Sequence, residues 1–149
     1  MNLEMKVTML QNIYAAALAE SINTYEKLGA HTTVVESKKL HQSASAPRMN
    51  QMIGAQTAKD VFTNLSGLFG CANWQLEETP NKLAATATAC KLCALSKQMG
   101  GANPCNGWCL DPMRAMIQAL ESPGVVPDTF TVVETLYTGD KCLVTIEKT

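Results

Sequence analysis

Most of the chemistry open to this chain lies in its six cysteines, four of which are paired at close spacing. The pairs are Cys90-x2-Cys93 and Cys105-x3-Cys109, with eleven residues between them. Cys142 follows in the same half, and Cys71 stands just ahead of the group. Thiols arranged this way hold a metal ion, close disulfides or attack a carbon atom. A Cys-x2-Cys pair is a half-site for tetrahedral zinc, which thiolates bind at ~2.3 Å. Cys90, Cys93, Cys105, Cys109 and Cys142 are therefore the candidate metal ligands, for zinc or for an iron–sulfur cluster. Four thiolates in a closed shell would leave no position for water and would make the metal structural. Free cysteine also serves as a small buried hydrophobe, and Cys71 is read as core on that basis.

Cys109 has a second claim. It precedes Asp111-Pro112, a residue pair suited to the start of a helix, where the dipole and unpaired N–H groups favour an anion. A thiolate there would have a lowered pKa and act as nucleophile or ligand, with Trp108 shielding it from water. Glu134 lies in an otherwise apolar strand face, so its carboxylate must be paired, protonated, ligating or at an edge with solvent access. A raised pKa would equip it for general acid–base work. Cys109, Glu134 and Asp111 are thus the candidate catalytic residues, although Asp111 by itself reads as a helix cap. His31 and His41 fall in a polar region and read as surface residues. Phosphate-loop, dinucleotide, nucleophile-elbow and His-Glu-x-x-His motifs are absent.

Several elements must position these residues. Val7, Leu10, Tyr14, Ala17, Ile22, Tyr25 and Leu28 predict a helix over Leu3–Leu28, stopped by Gly29. Thr32–Val35 reads as a short strand and Ser37–Pro47 as a loop. A second helix follows from Pro47 to Gly70, carrying Met49, Met52, Ile53, Val61, Phe62, Leu65 and Phe69. Asn73–Glu78 and Lys82–Cys90 read as a hairpin, whose second strand, with Ala84, Ala85, Ala87 and Ala89, calls for a helix or ligand packed against its small side chains. A Gly-rich loop, Met99–Pro104, joins the cysteine pairs. Met113, Met116, Ile117 and Leu120 predict a helix that ends at Ser122-Pro123-Gly124. Phe130–Tyr137 and Cys142–Glu147 form a final hairpin. A three-residue loop, Thr138-Gly139-Asp140, would pair Leu136 with Cys142, merge the apolar faces and bring Glu134 and Cys142 to one side.

The sum is an α+β domain spanning residues 1–149, with a helical half (1–70) and a Cys-rich half (71–149). Its antiparallel sheet is built of hairpins and packs with two N-terminal helices and one shorter C-terminal helix. A chain of 149 residues buries roughly 68–70% of its unfolded surface, enough for a core without staples. The net charge of −1 comes without a basic stripe, which argues against nucleic acid. No apolar run is long enough to span a membrane, and Glu4, Lys6, Gln11 and Asn12 interrupt what a signal peptide would need. The expected location is the reducing cytoplasm, where clustered cysteines are ligands or reactive thiols more often than disulfides. Charged residues make up only 17%, which with the long first helix points to a covered face and a homodimer.

The run Thr88-Ala89-Cys90, then Cys109-Leu110-Asp111-Pro112, then Glu134-Thr135-Leu136 with Gly139-Asp140-Lys141-Cys142, resembles the L-2-amino-thiazoline-4-carboxylic acid hydrolase family over residues 83–147. The last hairpin is also similar to the 4-vinyl reductase domain, a small-molecule and metal-binding α+β module. The first resemblance implies a hydrolase opening a thiazoline ring, its site lined by Cys90, Cys109 and Cys142 with Asp111 and Glu134. The second implies a non-enzymatic sensor of a small-molecule ligand. Cys93 and Cys105 are additions to the family pattern, and the terminal motif is one residue shorter than usual. The extra thiols favour metal over a lone nucleophile.

Overall fold

The computed structural model describes residues 1–120 and 130–147. The chain forms α1 (Leu3–Lys27), α2 (His31–Ile53), α3 (Ala58–Phe69), β1 (Gln75–Thr79), β2 (Lys82–Ala87), α4 (Lys91–Met99), α5 (Cys105–Trp108), α6 (Leu110–Leu120), β3 (Phe130–Glu134) and β4 (Cys142–Glu147). This is an α+β arrangement around one antiparallel four-stranded sheet of order β1-β2-β4-β3. The expected helix stop at Ser122-Pro123-Gly124 lies outside the described residues.

The N-terminal half departs from its sequence reading. Thr32–Val35 is not a strand and Ser37–Pro47 is not a loop; both belong to α2, which runs through Pro47. β-branched residues favour a strand only where a sheet offers them a face. Here α2 lies along α6 instead, burying Val35, Ala46 and Asn50, and Asn50 donates from Nδ2 to the Met116 carbonyl at 2.8 Å. Pro47 is exposed, so its ring and missing N–H fall on the solvent side. The predicted helix from Pro47 to Gly70 is in fact two. Gly54, at φ 70°, ends α2, and Thr57 opens α3 with a capping box in which its side chain and Asp60 satisfy each other's backbone N–H.

The sheet's inner face carries Leu83, Ala85, Val144, Ile146 and Phe130, all at most 5% exposed. Against it pack Val61 and Phe62 of α3 and Met113, Met116 and Ile117 of α6. Of the β2 alanines, Ala85 lies in this helix-covered core. Phe62 centres this core, edge-on to Trp74 (5.1 Å) and stacked with Phe130 (6.5 Å).

The terminal hairpin keeps the expected apolar face with a different register. Phe130 pairs with Ile146 and Val132 with Val144, after which a bulge shifts Glu134 opposite Leu143. The three-residue loop does not form, because the connection spans 135–141. Leu136 meets Cys142 through its N–H, which donates to the Cys142 Sγ at 3.2 Å, and not as a strand partner. The expected Gly-rich loop, Met99–Pro104, is present from Gly100 to Pro104, and the residues before it form α4. No described helix is long and apolar enough to cross a membrane.

Candidate functional site: a thiol-floored cavity

Each cysteine is placed by a separate local device. Cys90 is the N-cap of α4, and its Sγ accepts the Cys93 N–H at 3.5 Å, a cap made by sulfur where oxygen is usual. Cys71 is fastened beside it: Ala72 bridges Cys90, and the Lys91 N–H donates to the Cys71 carbonyl at 2.8 Å. The Asn73 carboxamide locks the approach by accepting from the backbone N–H groups of Thr88 (3.0 Å) and Ala89 (2.9 Å).

The link from α4 to the second pair is held by Asn23 of α1. Its Nδ2 donates to the Ser96 carbonyl and hydroxyl, its Oδ1 accepts the Ala102 N–H, and Ser96 Oγ donates to the Ala102 carbonyl at 2.6 Å. Gly100 permits this approach, since a Cβ there would stand 2.7 Å from Asn23 Oδ1. Cys105 and Cys109 flank a kinked turn in which Gly107 adopts φ 87°. The Gly107 N–H donates to Asp111 Oδ2 at 2.7 Å, so this carboxylate, expected among the catalytic residues, braces the entry to α6.

These devices gather the thiols from both halves of the pattern. Cys105 lies close enough to feel a charge on Cys142, Cys93 or Cys90, and Cys109 one on Cys90, Cys105, Cys142 or Cys71. All six are free. Burial, then the neighbouring thiols, pushes Cys105 up to about 12 and Cys109 well above the usual thiol range. The lowered pKa expected of Cys109 is therefore reversed, because desolvation by burial outweighs the pull of the helix terminus. Cys90 is raised by burial too, against the pull of the Cys93 and Leu92 N–H groups.

As a metal site the thiols are incomplete. Among the described residues, no group of three or more His, Cys, Asp or Glu side chains is arranged to hold a metal ion. Cys90, Cys93, Cys105, Cys109 and Cys142 are thus not drawn together as one ligand group among the described residues.

What the thiols do share is a cavity of about 230 Å³, with Cys71, Cys90 and Cys109 in its lining. Cys71, read from the sequence as core, is half-buried and belongs to this site. The lining includes the aromatic rings of Tyr14, Trp74 and Trp108 and the thioethers of Met49, Met113 and Met116. Trp108 is fixed by Tyr25 (6.2 Å), by the His31 ring (5.6 Å) and by Lys38, whose Nζ lies 5.4 Å over its ring. His31 is thus no simple surface residue: its side chain is 17% exposed and its Nε2 meets the Asn103 carbonyl at 3.0 Å. His41 is exposed as expected.

Glu134 does not line the cavity. Its side chain folds under Gly139, where a Cβ would stand 2.8 Å from its carboxyl carbon, which explains the glycine. Several lining residues escaped the sequence reading, Gln42 and Ser66 among them. Gln42 Oε1 and Ser66 Oγ are buried without a hydrogen-bond partner in the protein. No local signal marks them, since they sit on α2 and α3 and meet only through the fold.

Compared with known proteins, the chain matches no family model, no curated protein and no solved structure.

Proposed function

We propose that this protein binds a small, largely apolar molecule in the cavity floored by Cys71, Cys90 and Cys109, as a binding or sensing module. The observation that supports this reading best is the cavity itself. A concave space walled by aromatic and thioether groups with a few converging polar atoms is the usual form of a small-molecule site. A cavity of about 150 Å³ already accepts benzene, so about 230 Å³ suits one or two fused rings. Aromatic walls hold such rings by stacked and edge contacts, and methionines adapt to their outline. Proton-bearing thiols on the floor supply polarizable contact without charge. Unpaired thiols persist in a reducing compartment, so the reading places the protein in the cytoplasm.

The test is whether occupancy hides the thiols. A fragment library of one- and two-ring compounds is expected to contain members that slow maleimide labelling of Cys71 and Cys90, read by mass spectrometry. Ser45 is exposed and lines the cavity. Placing an indole there with Ser45→Trp blocks the entrance and is expected to weaken binding by about tenfold or more, a loss of roughly 1.4 kcal/mol. Fragments that bind the variant as tightly as the wild type, or a library with no protecting member, would sink the reading.

The same reading takes the protein as a homodimer. Residues 3–10 of α1 are exposed on every side, and Leu3 (76%), Val7 (43%) and Leu10 (65%) form a stripe spaced by four and three residues. That spacing is the seam of a two-helix contact, and a second copy of the chain carries the matching stripe. Sedimentation is expected to give a dimer for the wild type and a monomer for Leu3→Glu/Leu10→Glu. A monomeric wild type would end the proposal.

A further inference from the structure

We infer that Cys90 and Cys93 form a redox-active dithiol that reduces small organic disulfides, with Cys90 attacking the substrate and Cys93 closing the protein disulfide that releases it. The inference rests on the cavity admitting a small molecule, as the preceding reading does, and adds a reaction to it.

Local structure sets these two thiols side by side. Cys90 takes an extended backbone (φ −143°, ψ 114°) at the N-cap of α4, and its Sγ accepts the Cys93 N–H at 3.5 Å. The sulfur therefore lies over the residue it must join. Side chains at the N-cap and at the third helical position turn toward one another, as Thr57 and Asp60 do at the start of α3. Cys93 is raised by burial and then by a charge on Cys90, which reaches it more strongly than one on Cys142 does. The two thiols differ in access. Cys90 is partly exposed and belongs to the cavity lining, whereas Cys93 is 4% exposed and does not. A molecule in the cavity meets Cys90 first, which suits an attacking thiol with a sheltered one to resolve it.

The exchange runs in two steps. The Cys90 thiolate attacks one sulfur of a substrate R–S–S–R, forms a Cys90–S–S–R bond and expels RS⁻, which takes up the proton Cys90 gave. Cys93, losing its own proton, attacks the Cys90 Sγ, forms the Cys90–Cys93 bond and expels the second RS⁻, which leaves as RSH. The substrate gains two electrons and two protons, and the protein supplies both. A thiol reductant such as dithiothreitol restores the dithiol by the same exchange. Burial raises both thiols, Cys90 against the pull of the Cys93 and Leu92 N–H groups. The reduced pair thus draws little stability from a thiolate. Such a dithiol gives electrons up, in contrast to pairs whose reduced form is stabilised and which act as oxidants.

Dipyridyl disulfide, uncharged and aromatic, is the probe, because each pyridinethione it releases is read by absorbance. Reduced wild-type protein given a sub-stoichiometric dose is expected to release two pyridinethiones per reagent consumed. Lys91 lies between the two cysteines, so trypsin places them on separate peptides and a Cys90–Cys93 bond appears as a linked pair by mass spectrometry. Cys93→Ser is expected to stop at the first step, releasing one pyridinethione and keeping the pyridyl group on Cys90. A wild-type chain that keeps the pyridyl group, or that links Cys90 to a different cysteine, would overturn the inference; fragment protection of Cys90 from maleimide would then leave the ligand site standing. If Cys90 in the folded protein reacts with neither maleimide nor the probe, the inference and the ligand-site reading fall together. Should Cys93→Ser not fold, the wild-type linkage decides alone.

Discussion

The protein is expected to hold its stability up to about pH 9 and then lose it steeply, without any disulfide being involved. Cys105 has an ordinary thiol value of 9.0 when unfolded and about 12 when folded. The raised folded value means that the folded chain holds its proton more tightly than the unfolded chain does. Below 9.0 both states carry the proton, and the contribution is fully present. As pH rises from there through about 12, the unfolded state ionises first, and stability falls by about 1.4 kcal/mol per pH unit for this thiol. Cys109, also raised by burial, acts in the same direction, as do the other four. Against a net stability of about 5–15 kcal/mol, the loss from these thiols is a substantial fraction. Urea unfolding under reductant at about pH 8, 9, 10 and 11 checks this, and Cys105→Ala should flatten the slope by about one proton. A pH-independent midpoint across that window would show that the thiols are solvated and not clustered.

Phe62→Ala is expected to cost about 3–5 kcal/mol, through lost transfer energy and the cavity left behind. Phe62 is 0% exposed and stands between Trp74 and Phe130. Its ring joins α3 to the sheet, and Phe130 beyond it carries the Arg114 guanidinium at 5.1 Å. Trp74 also lines the ligand cavity, so loss of its edge contact should loosen that wall and weaken fragment binding as well as stability. Phe62→Leu, which keeps most of the volume, should lose under about 1.5 kcal/mol and retain binding. An alanine variant destabilised by less than about 1 kcal/mol would mean that the core repacks around the gap.

The parts of this fold legible in the sequence are those whose signal is local. The α1 bounds, the β1–β2 hairpin and the apolar face of the terminal hairpin follow from periodicity and turn residues. What misled is equally specific. Thr32–Val35 carries strand-like side chains, and Pro47 carries a helix-breaking one, yet both lie within α2. Packing on α6 decides the matter, and an exposed proline costs less there than exposing the face that holds Val35, Ala46 and Asn50. Between Cys90 and Gly100 the helix start was hidden because its cap is a thiol.

The cysteine pattern by itself directed attention to Cys90 and Cys109, which line the cavity, but set Cys71 aside and included Cys93, Cys105 and Cys142, which are not in its lining. It could not determine what the thiols are for, since spacing is the same for a ligand, a nucleophile and a packed side chain. Their environment decides that, and environment is tertiary. Burial in the core with α2, α3, α6 and the sheet raises Cys105 and Cys109, and the Gly107 N–H engages Asp111 in a structural task. Gln42 and Ser66, on α2 and α3, are brought to one cavity's lining. Proton affinity and pocket polarity are set by groups distant in sequence, so only the folded chain could state them.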